Sequence, residues 1–158
     1  MKTKFLFPNH FERIGWFILI PSSILGLLNF FEILEFKFLE IRVFAIYSEM
    51  FPSPSTFFGF VSNNIANEIF GILFIIGAIF IGFSNEKHED EFIAKVRTES
   101  LVWSVYANYI ILIFCMLFFF ELGFFYVMLF NMFTILLFFI IRFKYMIYMS
   151  KKNLNYEK

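Results

Sequence analysis

Four long runs of apolar residues divide this chain, and one strongly charged segment separates the second run from the third. Each run has about 18–20 residues. At about 1.5 Å per residue, a helix of that length spans roughly 27–30 Å, which is the thickness of a bilayer's hydrocarbon core. The pattern therefore predicts one all-α membrane domain over residues 1–158, with four transmembrane helices. The predicted spans are residues 14–31, 65–83, 101–120 and 122–141.

The segment between the first two runs, residues 32–64, has a different pattern and forms the predicted outer loop. Apolar and polar residues alternate in Leu34-Glu35-Phe36-Lys37-Phe38 and again in Ile41-Arg42-Val43. A period of two favours one or two short strands. The alternative for residues 32–48 is an amphipathic helix at the membrane interface. Proline and serine in Phe51-Pro52-Ser53-Pro54-Ser55-Thr56 indicate a loop.

Capping and turn residues mark the ends of the predicted helices. Asn9 precedes the first run and Asn63 or Asn64 precedes the second, and asparagine is a favoured cap. Between the third and fourth runs, Glu121-Leu122-Gly123 predicts a tight helical hairpin. A turn there would place Asn108 opposite Leu136 and Asn131 opposite Ile113, so the two amides are not expected to meet.

Composition agrees with a membrane protein and excludes several classes of function. Hydrophobic residues make up 60% of the chain, charged residues only 16%, and the mean hydropathy is +0.76. A soluble domain of this size could not bury so much apolar surface. The net charge is zero, so no basic field indicates nucleic acid. The single cysteine, Cys115, excludes an internal disulfide and a cysteine metal site.

The distribution of basic residues predicts the orientation. Four spans place both termini and the charged segment on one side of the membrane. All but Lys37 and Arg42 of the 13 Lys and Arg residues lie on that side, and loops rich in Lys and Arg stay in the cytoplasm. We therefore expect both termini to be cytoplasmic.

Residues 84–100 form the charged segment and are the first candidate functional region. Their helical spacing predicts a cytoplasmic helix that continues into the third span, with Glu91–Lys95 and Lys95–Glu99 as pairs one turn apart. A self-paired solvated helix is one interpretation, and a docking face for a cytoplasmic partner is the other. Metal binding through His88 and Glu91 is a weaker alternative, since a second metal-binding arm is missing. The docking candidates are Glu86, Glu89, Asp90, Glu91, Lys95, Arg97 and Glu99.

Small and polar residues within the spans are the second set of candidates. Small side chains at matched spacing let two helices approach closely in lipid, which predicts that the first and second spans pack together. Polar groups in lipid are costly, so they mark either packing or a ligand path. The packing candidates are Gly15, Ser22, Gly26, Gly71, Ala78 and Gly82. The intramembrane polar candidates are Ser104, Asn108, Asn131 and Thr134.

One part of the chain resembles a known family. The residues Glu89-Asp90-Glu91, Arg97, Glu99-Ser100-Leu101, Trp103 and Asn108-Tyr109 resemble a family of small, uncharacterised bacterial integral membrane proteins. The resemblance extends from Phe5-Leu6-Phe7-Pro8 to Arg142. It implies the bacterial cytoplasmic (inner) membrane and weakly implies work beside a cytoplasmic protein. It assigns no catalytic role to any residue.

The leading hypothesis is a non-enzymatic membrane protein: a sensor, accessory or scaffold subunit that docks a cytoplasmic partner through its charged helix. A small oligomeric transporter or channel is the alternative, and a lipid-modifying enzyme using His88 is the second alternative. The sequence has no nucleophile elbow, phosphate-binding loop or zinc-protease motif. We therefore assign no catalytic, cofactor-binding or metal residue. The expected partners are the lipid bilayer and either a cytoplasmic protein or a second copy of this chain.

Overall fold

The computed structural model describes residues 5–34, 36–48, 56–87 and 89–156. Within these ranges the chain is mostly helical and contains a small two-stranded sheet. The elements in chain order are α1 (His10–Phe30), a 3₁₀ turn (Lys37–Leu39), β1 (Glu40–Ser48), β2 (Thr56–Asn64), α2 (Ala66–Gly82), α3 (Glu91–Phe118) and α4 (Glu121–Tyr156).

Three of the helices, α1, α3 and α4, are long and apolar enough to cross a membrane. The other helix, α2, is also apolar but has only 17 residues, which corresponds to about 26 Å. Most large apolar side chains on α3 and α4 between Tyr109 and Phe130 are exposed. Because contiguous apolar surface of this extent is costly in water, these helices are suited to lipid.

The chain forms two compact units, and the larger contains Met1–Leu19 with Phe74–Lys158. All four helices contribute to its hydrophobic core. Phe139 and Phe143 of α4 are almost completely buried and stack with ring centroids 5.9 Å apart. The buried core residues are Leu19, Phe74, Ala78, Ile81, Ile93, Val96, Phe139, Ile140, Phe143 and Ile147.

The smaller unit, Ile20–Leu73, contains the sheet. The strands β1 and β2 are antiparallel and pair from Glu40 opposite Asn64 to Ser48 opposite Thr56. Aromatic rings face each other across the strands, as in Phe44 and Phe60 at 5.6 Å. The strand prediction for the outer loop is therefore confirmed for residues 40–48. The alternation at Leu34–Phe38 does not form a strand, because the chain makes a 3₁₀ turn at Lys37–Leu39, and the second strand lies instead at Thr56–Asn64. The predicted loop at 51–55 lies outside the described residues.

Asn64 caps α2, which confirms one of the two predicted caps, Asn63 or Asn64. Its side-chain oxygen accepts a hydrogen bond from the backbone N–H of Ala66 at 3.0 Å. Such a cap satisfies one of the free N–H groups at a helix start. The cap also fixes the point where β2 ends and α2 begins.

The charged segment is only partly helical, so the prediction of one helix over residues 84–100 was wrong for its first part. Asp90 is the N-cap of α3, and its carboxylate accepts from the backbone N–H of Ile93 at 2.8 Å. Before it, Asn85 donates its N–H to the carbonyl of Phe7, and Phe7 donates to Phe83. Because these bonds satisfy the backbone outside a helix, α3 starts at Glu91. From there it continues into the apolar run as predicted.

The hairpin between α3 and α4 turns at Phe119–Phe120, two residues earlier than predicted. Phe119 has extended backbone dihedrals, and Glu121 begins α4 with a positive φ of 54°. Gly123 lies inside α4 instead of in the turn. Moving the turn changes which residues of the two helices lie at equal depth. At its other end, α4 extends beyond the apolar run and continues through Tyr156.

Candidate functional site

Arg97 and Glu89 form an ion pair at the start of α3. Nη1 of Arg97 lies 2.6 Å from Oε1 of Glu89, and Nη2 lies 3.1 Å from Oε2, so the contact is bidentate. The Arg97 side chain is only 8% exposed. Its guanidinium also donates to the carbonyl of Ser84 at 3.0 Å and lies 4.9 Å from the ring centroid of Phe143. Arg97 thus joins α3 to α4 and to the segment that follows α2.

Lys144 of α4 connects two further carboxylates. Its Nζ lies 2.6 Å from Oε1 of Glu12 in α1 and 2.7 Å from Oε1 of Glu86. The backbone N–H of Glu86 in turn donates to Oε2 of Glu89 at 2.9 Å. These contacts link the two ion pairs into one assembly of partly buried charges. We call Glu12, Glu86, Glu89, Arg97 and Lys144 the ion-pair network.

The ion-pair network joins the starts of α1 and α3, the segment after α2, and α4. A charge removed from water must be paired and hydrogen-bonded to be tolerated, and here both terminal nitrogens of Arg97 have partners. Three docking candidates, Glu86, Glu89 and Arg97, are therefore engaged inside the protein. Their ion pairs connect α3, α4 and the segment after α2, so these charges are not available to a partner protein.

Of the other four docking candidates, Asp90 caps α3, and the other three lie on the opposite side of its first turns. Glu91, Lys95 and Glu99 are exposed, at one-turn spacing. Nζ of Lys95 lies 3.8 Å from Oε1 of Glu99, and their side chains are 75% and 55% exposed. Phe92, beside them, is 50% exposed. We call Glu91, Phe92, Lys95 and Glu99 the exposed face.

A groove between α3 and α4 brings together polar candidates that were not expected to meet. The cavity has a volume of about 390 Å³, and its lining includes Asn108, Cys115, Asn131 and Thr134. The two amides lie at more similar depth than predicted, because the hairpin turns at Phe119–Phe120. That they are not hydrogen-bond partners of each other stays a prediction. Oδ1 of Asn108 has no hydrogen-bond partner among the described residues, and Asn108 is 3% exposed.

The other two intramembrane polar candidates, Ser104 and Thr134, each donate a hydrogen bond within their own helix. Ser104 is completely buried and donates to the carbonyl of Leu101 at 2.7 Å. Thr134 lines the groove and donates to the carbonyl of Phe130 at 2.8 Å. The buried stripe of α3 runs from Ile93 through Ser100 and Ser104 to Asn108. Polar side chains thus follow the inner side of α3 from the ion-pair network to the groove.

The packing candidates fall into several environments. A Cβ at Gly15 would lie 2.8 Å from the backbone oxygen of Gly77, so α1 and α2 are in close contact there. A Cβ at Gly26 would lie 3.3 Å from Cβ of Phe70, also in α2. Gly82 instead packs against Phe139 of α4, whose Cε1 would be 2.5 Å from a Cβ. The others lie on the same two helices: Ser22 and Ala78 are buried and Gly71 is half-buried.

Sequence reasoning missed three residues that are central to these contacts. Neither Glu12 nor Lys144 was among the candidates from the sequence. Their partnership spans 132 residues, so no local pattern could reveal it. Gly77 was not included in the predicted small-residue stripe, although it touches both Gly15 and Leu19.

The described residues contain no group of three or more His, Cys, Asp or Glu side chains in position to hold a metal ion. His88, on which the metal and enzyme alternatives depended, lies outside the described residues. No protein-family model matches the chain, and no curated protein or solved structure is significantly similar to it. The features available for function are thus an exposed charged face, an internal ion-pair network and a groove with an unpartnered amide.

Proposed function

We propose that this chain is a four-span, non-enzymatic protein of the bacterial inner membrane, with both termini in the cytoplasm. In this proposal it acts as a sensor, accessory or scaffold subunit and docks a cytoplasmic protein through the exposed face. It belongs with the small bacterial membrane proteins that its charged segment resembles. The observation that carries the proposal is the division of charge around the first turns of α3, where one side is paired internally and the other is exposed to solvent.

The ion-pair network supports four crossings. Glu12 at the start of α1 and Glu86 after the end of α2 share the same ammonium group of Lys144. If α1 crosses the membrane, the chain must cross again before Glu86 to bring these two carboxylates together. The only apolar helix between them in the described residues is α2, so α2 is the proposed second span. With Ile65 and Phe83 at its ends it reaches about 28 Å.

The basic residues support the cytoplasmic side. In a four-span protein, Lys37 and Arg42 are the only two of the 13 Lys and Arg residues on the far side. Arg142 near the inner end of α4 lies over Trp103 of α3, with 4.7 Å between the guanidinium carbon and the ring centroid. Tryptophan and arginine at this level are typical of the membrane–water interface.

The exposed face supports docking because its charges are accessible and contribute little to the fold. An exposed pair such as Lys95–Glu99 is worth less than about 1 kcal/mol. Phe92 adds a half-exposed aromatic ring next to these charges, and aromatic side chains are enriched in protein–protein contacts. A surface that combines an aromatic anchor with charges on a rigid helix is suited to protein recognition.

Site-specific photo-crosslinking tests this proposal in intact cells. A photoreactive amino acid at Lys95 should give a discrete crosslink to a cytoplasmic protein, and the same amino acid at Arg42 on β1 should not. Neutralising the face with Glu91→Gln, Lys95→Met and Glu99→Gln should abolish recovery of that partner in detergent. The matched control is Glu40→Gln with Arg42→Met, which alters exposed charges on β1. Equal recovery by both variants would contradict docking at the exposed face.

The groove favours a second candidate function, a small oligomeric transporter or channel. Its amides lie within the apolar stretch of two helices that are long enough to span a membrane, and polar groups at that depth often line a path. This function requires flux across liposomes that contain the protein. The flux should change in Asn108→Leu and Asn131→Leu while insertion is retained. Unchanged flux in both variants would count against it.

A further inference from the structure

The groove between α3 and α4 has a polar end and an apolar end. The turn at Phe119–Phe120 places Asn108 and Asn131 about equally far from it, at roughly 17 Å along their helices. Thr134 lies one helical turn beyond Asn131. Toward the turn the lining is formed by Val127, Gly123 and Phe119. The two amides and Thr134 therefore lie at the end of the lining far from the turn, and Tyr126 is a polar residue nearer to it.

The polar end has an unsatisfied hydrogen-bond acceptor. Oδ1 of Asn108 has no partner in the described part of the chain, although the residue is 3% exposed. A buried polar atom without a partner costs about 1–3 kcal/mol. Ser100 Oγ and the Nε atoms of Arg97 and Arg142 also lack partners, but those residues do not line the groove. Of these residues, Asn108 is the one that lines the groove.

The apolar end fits hydrocarbon. The groove volume of about 390 Å³ lies within the range of small-molecule sites. At roughly 30 Å³ for each water-sized group, it holds on the order of ten non-hydrogen groups, so it encloses the head and the first part of a longer alkyl chain. Few polar groups among mostly apolar ones are typical of a ligand site in which the polar groups fix orientation. Because lipid surrounds this part of the hairpin in the proposed topology, water is scarce there as a partner for the amide.

We propose that this groove binds a single-chain amphiphile with a hydroxyl head group, with the hydroxyl on Asn108 and the chain directed toward the hairpin turn. A hydroxyl both donates and accepts, so it matches a carboxamide in either orientation of its last torsion. Asn131 and Thr134 lie beside the head, where an amide and a hydroxyl oxygen offer further contacts. The inference depends on the hairpin's place in the bilayer and is independent of docking at the exposed face.

The test compares hexadecanol with hexadecane, which has the same chain but no hydroxyl. Binding is measured on the purified full chain in detergent by protection of Cys115 from a membrane-permeant maleimide. Cys115 is the only cysteine in the chain and lines the groove. Hexadecanol should protect at about tenfold lower concentration than hexadecane, since it makes the additional buried hydrogen bond. In Asn108→Leu this tenfold difference should disappear, while protection by hexadecane is retained.

A second variant keeps the proposal testable if Asn108→Leu does not fold. A side chain at Gly123 has room, because a Cβ there meets only Cδ1 of Phe119, at an ordinary 3.8 Å. Gly123→Leu should therefore fold and fill the apolar end, which weakens protection by both probes at least fivefold. Gly123→Ala is the matched control and should retain binding.

Two results would overturn the proposal. The first is equal protection of Cys115 by hexadecanol and hexadecane in the wild-type chain, which would show that Asn108 does not recognise the head group. The second is rapid oxidation of the unliganded chain to a Cys115–Cys115 dimer that hexadecanol does not compete with, which would show that a second copy of the chain occupies the groove. Failure of docking at the exposed face would leave both measurements unaffected.

Discussion

Two buried polar side chains of the α3–α4 hairpin, Arg97 and Asn108, differ in how far their polar atoms find hydrogen-bond partners. Near the start of α3, Arg97 is buried, but carboxylate, carbonyl and aromatic groups surround its terminal nitrogens. Toward the turn, Asn108 is just as deeply buried, and its oxygen has no partner among the described residues. At Arg97 both terminal nitrogens are paired and only Nε is not, whereas the unpartnered amide of Asn108 belongs to a residue that lines an open groove.

This difference separates residues that hold the fold from residues that are available to other molecules. Replacing a group in the ion-pair network leaves a buried charge without its partner, and so must destabilise the protein. Replacing the amide in the groove removes an unsatisfied group, and so should not. Polar residues in or near a membrane are thus not equivalent as functional candidates, and their hydrogen-bond partners decide which kind they are.

The largest effect is expected at the ion-pair network. Arg97→Met should lower the free energy of unfolding by about 3–5 kcal/mol, because it leaves the Glu89 carboxylate partly buried and uncompensated. The measurement is reversible unfolding in mixed micelles, followed by circular dichroism. Arg97→Met combined with Glu89→Gln should recover part of the loss. A change of less than about 1 kcal/mol in the single variant would show that the pair is not structural.

The next effect is expected where α1 and α2 are closest. Gly77→Ala should lower the free energy of unfolding by about 1–3 kcal/mol. Its Cβ would lie 2.9 Å from the backbone nitrogen of Leu19 and 3.0 Å from the oxygen of Gly15, and backbone atoms cannot move aside cheaply. The same unfolding assay measures it, with Gly123→Ala as the uncrowded control. Equal stability of these two variants would argue against close packing of α1 and α2.

A smaller effect of opposite sign is expected in the groove. Asn108→Leu should raise the free energy of unfolding by about 1 kcal/mol in the absence of ligand, since leucine is similar in size and has no polar atom to satisfy. Thermal unfolding in detergent provides the measurement. Destabilisation by this variant would mean that the amide has a partner in the folded protein, and the contrast between the two ends of the hairpin would then be lost.

The smallest effect on stability is expected at the exposed face. Lys95→Met should change the free energy of unfolding by less than about 0.5 kcal/mol, because its partner Glu99 lies 3.8 Å away and both side chains are largely exposed. The same variant should nevertheless weaken capture of the cytoplasmic partner. A large loss of stability here would place Lys95 with the ion-pair network instead of with the docking surface.

Local patterns in the sequence predicted the helices well, because apolar runs and asparagine caps act over a few residues. They could not predict contacts that depend on the register of helices. The groove is an example, because the turn was predicted at Glu121-Leu122-Gly123, whereas the chain turns at Phe119–Phe120. This shift brings Asn108 and Asn131 to equal depth. The contact between Glu12 and Lys144 is another example, since it requires α1 and α4 to be placed side by side.

The charged segment shows the same limit at short range. Helical spacing correctly predicted the continuous helix from Glu91 onward. It also extended that helix back to Ser84, because periodicity alone cannot reveal that Asp90 caps the helix or that Phe7 pairs with Phe83 and Asn85. The sequence therefore identified this group of charged residues as candidates, but not which of them the protein uses internally.

The four-span arrangement is the central claim, and cysteine accessibility tests it most directly. In a Cys115→Ser background, Ser48→Cys at the end of β1 and Lys95→Cys on α3 are labelled separately with a membrane-impermeant maleimide. We expect Ser48→Cys to be labelled in cells whose outer membrane alone is opened. Lys95→Cys should be labelled only after the inner membrane is also disrupted. Labelling of both positions from the same side would show that α2 does not cross and would contradict the account.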